Sequence, residues 1–386
     1  MRVALAAALA ALSLVGCADE AARGPAPTTP SPGVIAEGWP QALSDWGQMA
    51  VGGGQLVLGE RVVPYTLNTA LFTDDALKLR TVWLPEGAEP AQYHGREVFD
   101  FPDGTVITKT FYYPRAGRDL SRVSGDGVEM QHFSGDRLDL TKVRLVETRI
   151  LVLRAGQWDA VSYVWNDDQT EANLARTGAF VDLTLISAAM GQERLDYLVP
   201  NVNQCANCHN TNTPDGLGTR PIGPKARHLN GPYDSVDDPQ SQLARWQALG
   251  LLTGVPDDAP ASPRWTGGIP DDPIVLNAAA RAYLDINCAH CHSRTGQADT
   301  SGLYLEPWEP AGANLGICKP PIAAGRGTGN RHLGIVPGNA EASIFTYRMA
   351  STRADVMMPE LGRATVDEDG LALVAAWIDA MAGGCG

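Results

Sequence analysis

The sequence predicts a multi-domain chain: a β-rich N-terminal domain, sandwich or barrel, followed by a mainly α region built around two C-x-x-C-H motifs. Three observations predict it. At 386 residues, 44% hydrophobic and 19% charged, the chain is long enough for two or three packed domains and too apolar to be disordered throughout. Its first half alternates short β-branched and aromatic runs with turn residues, whereas stretches of helical spacing gather in the second half. Six of the seven cysteines also lie in the second half, four of them in the two motifs. The net charge of −14, from 44 acidic and 30 basic residues, excludes a general cationic surface for phosphate, so no nucleic-acid partner is expected.

Residues 1–16 read as an export signal. Met1-Arg2 is a short positive start, and the apolar run from Val3 to Val15 is too short to span a bilayer. It ends in Leu14-Val15-Gly16-Cys17, which resembles a bacterial lipobox. That resemblance implies cleavage before Cys17 and lipid on its sulfur and new amino terminus; an ordinary signal peptide with a chance cysteine is the alternative. Residues 17–37, rich in Ala, Pro and Thr, read as a flexible tether. No later apolar stretch reaches about 18 residues, so membrane contact is expected through the lipid alone. Ala18 and Asp19 lack an Asp directly after the lipid cysteine, which favours the outer membrane of a two-membrane envelope.

Residues 38–195 form the expected β domain, of unknown role. Pro102-Asp103-Gly104 is a turn, and Thr105 to Tyr112 follows with strand composition. Val143–Leu153 and Gln157–Trp165 are further strand candidates. Glu147 and Arg149, two apart, fall on one strand face as an ion pair or solvated face. No Ser-His-Asp set, P-loop or dinucleotide fingerprint occurs, and His94 and His132 have no metal-ligating company in sequence.

Residues 196–272 are the expected first haem domain. Cys205-Ala206-Asn207-Cys208-His209 has the spacing by which c-type haem is attached. Two thiols add to the two vinyl groups of the porphyrin, and the adjacent His209 reaches the iron as proximal ligand. Ser241 to Leu252 has helical spacing that ends at Gly250. No Met lies between His209 and Met349, so the sixth ligand is His228, a residue from elsewhere such as Met190 or Met349, or none.

Residues 273–386 are the expected second haem domain. Leu276, Ala280, Tyr283 and Leu284 place a helix ahead of Cys288-Ala289-His290-Cys291-His292, with His292 as proximal ligand. Thr365 to Glu368 is a capping-box pattern before Leu371, Val374, Ile378 and Met381 on one helical face. A helix before the motif and another at the end resemble a class I cytochrome c. The resemblance implies that Met358, before Pro359, is the distal ligand, with Met357 as runner-up; Pro224, in a Gly-Pro loop, would orient His209 through its carbonyl. Zinc ribbons and thioredoxin-like redox motifs also use C-x-x-C. Here, however, Cys208 and Cys288 lie 80 positions apart, and both copies carry the added His. With Cys17 assigned to lipid and four cysteines to haem, Cys318 and Cys385 are left over, and an oxidising compartment favours a disulfide between them.

Six short segments of the front half, Leu71-Phe72-Thr73-Asp74, Phe101 to Thr105, Lys109 to Phe111, Glu147 to Arg149, Tyr163 to Asn166 and Gln169 to Ala172, join Asn287 to His292 and Met358 to Gly362 in one further resemblance. Together they resemble a little-characterised family of bacterial dihaem c-type cytochromes. It implies two covalent haem c groups in an exported protein and supplies no reaction partner. The expected function is a lipid-anchored electron relay on the periplasmic side of a bacterial envelope, exchanging single electrons with an unknown redox partner. An enzyme reducing peroxide or another small oxidant at an open haem site is the alternative, and a sensor or adhesion module with structural haem is a third class.

Overall fold

The computed structural model describes residues 25 and 27–385, apart from 190, 214–215, 234–240, 260–261 and 323. Cys17, the export signal, most of the N-terminal half of the tether and Met190 lie outside the described residues. In chain order the front half holds β1 (Met49–Gly52), β2 (Gln55–Leu58), β3 (Val63–Tyr65), β4 (Leu77–Trp83), β5 (Ala91–Gln92), β6 (Val106–Pro114) and β7 (Arg122–Ser124). Then follow β8 (Phe133–Ser134), β9 (Arg137–Asp139), β10 (Val143–Arg154), β11 (Gln157–Trp165), β12 (Ala172–Leu174), β13 (Ala179–Ser187) and β14 (Gly191–Val199). The second half holds α1 (Val202–His209), β15 (Asn210–Thr213), β16 (Gly216–Thr219), α2 (Ala226–Leu229), α3 (Gln242–Ala248), β17 (Leu252–Thr253), α4 (Pro273–Leu284), α5 (Ile344–Met349) and α6 (Glu368–Asp379).

The frame is a six-stranded sheet in the order β12-β11-β10-β6-β4-β3, antiparallel throughout. Strand side chains alternate between faces, so the two faces have separate tasks. On one face Leu79, Val106, Tyr112, Ile150, Val161 and Tyr163 pack against Trp46, Met49, Leu56 and Leu58, which come from the smaller sheet β1-β2-β9-β8 and the turn before it. The other face is shared. Val82, Ile107, Leu151 and Trp158 pack there with Leu229, Leu243, Trp246 and Ile286 of the second half, while Phe111, Tyr113 and Val146 pack with Leu183, Leu195 and Tyr197 of the sheet β14-β13-β7. A bulge between Leu145 and Glu147 shifts the register, so that the adjacent Val146 and Glu147 both face the β14-β13-β7 side, where Val146 joins that core and Glu147 meets Tyr197.

The mainly α, cytochrome c-like region expected over 196–386 is not present among the described residues. Strands make up 29% of the structure and helices 20%, with six helices among the described residues. Only α4 and α6 reach twelve residues, and the other four span eight or fewer. The cause lies in composition: between residues 293 and 343 stand nine glycines and five prolines, each unfavourable inside a helix. Helical periodicity is confined to the flanks, and between them the chain runs as turns and single 3-10 turns. Residues 196–272 have no core of their own among the described residues. α2 and α3 complete the core on the large sheet, and β17 pairs in parallel with β5 of the front half. Leu276, Tyr283, Leu284, Leu373, Val374 and Ile378 of α4 and α6 belong to a separate core.

Cys318 and Cys385 are disulfide-bonded, with Cα atoms 5.4 Å apart. The bridge joins the Gly/Pro-rich stretch to the segment after α6. No helix among the described residues is long and apolar enough to cross a membrane.

Candidate functional site

Both C-x-x-C-H motifs end a helical segment, and the segments are built differently. Asn201 starts α1 with a reciprocal cap: its side chain accepts from the Gln204 amide while Gln204 accepts from the Asn201 amide. The first motif thus occupies the body of α1 and ends at His209. The second follows α4, which begins with Asp272 as cap and Pro273 in the first turn. After Leu284 the helix widens into a π-turn over Asp285–Ala289 that contains Cys288.

The structure brings the two motifs face to face, although Cys208 and Cys288 lie 80 positions apart. Cys291 Sγ lies 3.5 Å from the Asn207 carbonyl, the Asn212 amide donates to Thr295 O at 2.7 Å, and Gln297 Nε2 donates to Asn210 O at 3.3 Å. Ligand atoms of Cys208, His290 and Cys291 lie within 4.8 Å of one another. This trio takes one residue from the first motif and two from the second, and is not itself a haem-attachment motif. A hydrogen bond with the Cys291 thiol has the largest effect on Cys208 and lowers it well below the ordinary thiol range; burial opposes this, and His290 adds to the lowering. Cys291 is pushed up in turn. Burial raises Cys205 and pushes Cys288 up to about 12. None of the four motif cysteines is in a disulfide.

The proximal-ligand candidates have the surroundings the role requires. His209 Nδ1 lies 2.8 Å from the Arg220 carbonyl, which fixes Nδ1–H and leaves Nε2 as the lone-pair nitrogen. The Pro224 carbonyl, expected in that place, instead accepts from the Phe99 amide at 3.4 Å. The β15–β16 hairpin folds Arg220 back on His209, and a Pro-based analogy could not register that turn. His292 Nδ1 lies 3.5 Å from Ser301 Oγ. Burial, aided by Lys109 for His209 and by His290 and Arg348 for His292, lowers both imidazoles to about 4. They are therefore neutral near pH 7, as iron ligation demands.

His228 is not placed to be a ligand. Its Nε2 is 2.9 Å from Asp285 Oδ2 and its Nδ1 3.3 Å from the Gly223 carbonyl, so both ring nitrogens are engaged. Arg227 joins the same carboxylate at 2.6 and 3.1 Å and stacks on Trp308. Burial works to raise Asp285, but His228 and Arg227 overcome it and hold the carboxyl below its ordinary range. Met349 packs into the core of α4 and α6.

Met358 lies half-buried in a loop held by its backbone. Its amide donates to Arg348 O, and its carbonyl accepts from Arg363 Nη2, both at 3.0 Å. Arg363 also binds the Ser351 and Thr365 carbonyls at 2.8 Å. The loop adjoins the second motif: the Glu360 charge acts on Cys291, and that of Arg348 on His292. Met357 is half-buried beside Met358.

Sequence reasoning missed the residues that dock the front half on this site. Asp74 Oδ1 accepts from the Ala364 and Thr365 amides and the Thr365 hydroxyl at 2.7–2.9 Å. The Phe72 amide donates to Asn287 Oδ1 at 2.8 Å, and Asn287 Nδ2 reaches the Ala70 carbonyl at 3.2 Å. Asn287 directly precedes Cys288. The sole sequence signal was that Leu71 to Asp74 and Asn287 both occur in the family-like segments.

The donor set fits covalent haem c. Four thiols outside any disulfide and two neutral imidazoles, one with its Nδ1–H fixed by a carbonyl, supply two complete attachment sets, and all six side chains remain partly accessible. His290 Nδ1 is buried without a hydrogen-bond partner. Without haem, Cys208, Cys291 and His290 would make three ligands for a thiophilic divalent metal. Both cofactors claim the same two sulfurs, so they exclude each other. No protein-family model matches this chain, and no curated protein or solved structure is significantly similar to it.

Proposed function

We propose that the chain is an exported dihaem c-type cytochrome, of the little-characterised bacterial family its motifs resemble, held to the cell envelope by lipid on Cys17 and relaying single electrons to or from a redox partner protein. The observation that carries the reading is the meeting of two complete C-x-x-C-H motifs at one place in the fold, each with a neutral histidine. Cys205, Cys208 and His209 would hold one haem c, and Cys288, Cys291, His292 and Met358 the other. Haem c supplies a one-electron ferric/ferrous couple whose potential its axial ligands and surroundings set.

The remaining residues orient and shield. Arg220 fixes the His209 ring; Arg363, Arg348 and Asp74 fix the Met358 loop; Asn287 holds the turn entering Cys288 against the front half. The front half would therefore act as the frame that presents both attachment sites, with any partner docking on the assembled surface.

One observation favours the second reading, reduction of peroxide or another small oxidant at the first haem. His228 is tied to Asp285 and Gly223, so the nearest sequence candidate for a sixth ligand is withdrawn. Electron paramagnetic resonance and absorption of the purified protein decide between the two. Low-spin signals from both haems, unmoved by cyanide, support the relay. A high-spin signal that binds cyanide quickly supports the enzyme, and absence of a haem spectrum in protein matured in an exporting host rejects both.

A further inference from the structure

The large sheet carries a row of cations on the face toward the first motif. In the cross-strand register Arg80 of β4 stands opposite Lys109 of β6, and Lys109 stands opposite Arg149 of β10. All three share the face of Ile107 and Phe111, away from the Trp46 core. Like charges directly opposite one another destabilise a sheet. Two of the three are neutralised. Arg80 meets Glu129 at 2.9 and 3.1 Å, and Arg149 meets the wholly buried Glu147 at 2.6 and 3.0 Å. Glu147 is further committed to the Tyr197 hydroxyl at 2.8 Å.

Lys109, between the two, has neither an ion-pair partner nor a side-chain hydrogen bond among the described residues. Its ammonium has only the Phe111 ring at 5.1 Å, which it shares with the Arg149 guanidinium at 4.3 Å. Arg80 Nη2 is also buried without a partner. A half-buried ammonium between two guanidiniums is costly unless an anion completes the site. Ser162 of β11 stands opposite Arg149 on this face, its hydroxyl donates to the Pro200 carbonyl just ahead of α1 at 3.4 Å, and α1 packs on β11, so the row runs toward the first attachment motif.

The geometry points to Lys109, flanked by Arg149, as the seat of a carboxylate carried by the group held at Cys205, Cys208 and His209, namely a propionate of the first haem. This rests on the cytochrome reading above. Haem carries two such carboxylates, and among the described residues the two carboxylates that meet this row, Glu129 and Glu147, are already paired with Arg80 and Arg149. Lys109 would then anchor the first haem and raise its potential, since a cation close to iron disfavours the extra positive charge of the ferric state.

The test is a redox titration of the two-haem protein, followed by absorption, for the unaltered chain, Lys109→Met and Lys109→Arg. The wave that moves in Met358→Ala identifies the second haem. The expected result is a lower potential for the first haem alone in Lys109→Met, with most of the shift restored in Lys109→Arg. Two bound haems and an unmoved first potential in Lys109→Met overturn the inference and leave the cytochrome reading intact. Absence of haem from the unaltered protein rejects that reading itself. A second measurement needs no variant: with haem labelled at its propionate carboxyls, the infrared difference spectrum of the unaltered protein should show an ionised carboxylate at mildly acid pH. Protonated carbonyl bands from both first-haem propionates under those conditions also overturn it.

Discussion

Asp74 shows how one side chain couples the front half to the candidate redox site. Its Oδ1 takes three hydrogen bonds from residues 364 and 365, next to the loop of Met358. Hydrogen bonds to a buried charged group contribute roughly 1.5–3 kcal/mol each, and unpaired donors cost more. Asp74→Ala should therefore lower stability by about 2–4 kcal/mol and weaken the sulfur-to-iron band of the oxidised protein, read by thermal melting and absorption. Met358→Ala should abolish that band and lower the second haem's potential, because a thioether favours ferrous iron. An unchanged spectrum would shift the ligand to Met357. The neighbouring Asp75 gives a pH test. Burial, and then the nearby Asp367, raise it from 3.8 to about 7. The native state thus binds this proton more tightly than the unfolded chain. Its contribution to stability is complete below pH 3.8 and is lost as pH rises through about 7. Asp75→Asn should flatten that part of the stability profile, measured by urea unfolding at pH values across the interval.

At the scale of elements, sequence and structure agree where periodicity was strong. The strands expected at Val143–Leu153 and Gln157–Trp165 lie within β10 and β11, and the helix ahead of Cys288 is α4. The closing helix is also present, although its cap is Asp367, while Thr365 is committed to Asp74. The six motif residues were legible because the C-x-x-C-H spacing is local in the chain. The surroundings were not: the Arg220 carbonyl under His209, the carboxylate that engages His228, and the approach of Cys208 to Cys291 all depend on long-range pairing that local spacing does not encode. The mainly α expectation failed for a related reason, since two helices flanking a motif say nothing of the Gly/Pro-rich chain between them. The Cys318–Cys385 bridge closes a separation of 67 residues. Chain-entropy models give such a loop roughly 4 kcal/mol, and replacing both cysteines by alanine should remove about 2–4 kcal/mol, seen as a lower melting temperature without loss of haem.

Across the whole molecule, three bodies of chain converge on one place: the large sheet beneath, α1 with its hairpin on one side, and the turn after α4 with the Met358 loop on the other. This convergence makes the two motifs one candidate centre rather than two independent modules. The proposed lipid anchor is a separate matter of localisation, and on that proposal Cys17→Ser should release the protein from membranes. The central claim is that both motifs carry covalent haem, and intact-mass spectrometry of protein matured in an exporting host tests it most directly. Two haem additions are expected on the unaltered chain, one on the Cys205→Ala, Cys208→Ala variant and one on the Cys288→Ala, Cys291→Ala variant. A single addition or none on the unaltered chain, or a divalent metal held by Cys208, His290 and Cys291 in their place, would contradict the account.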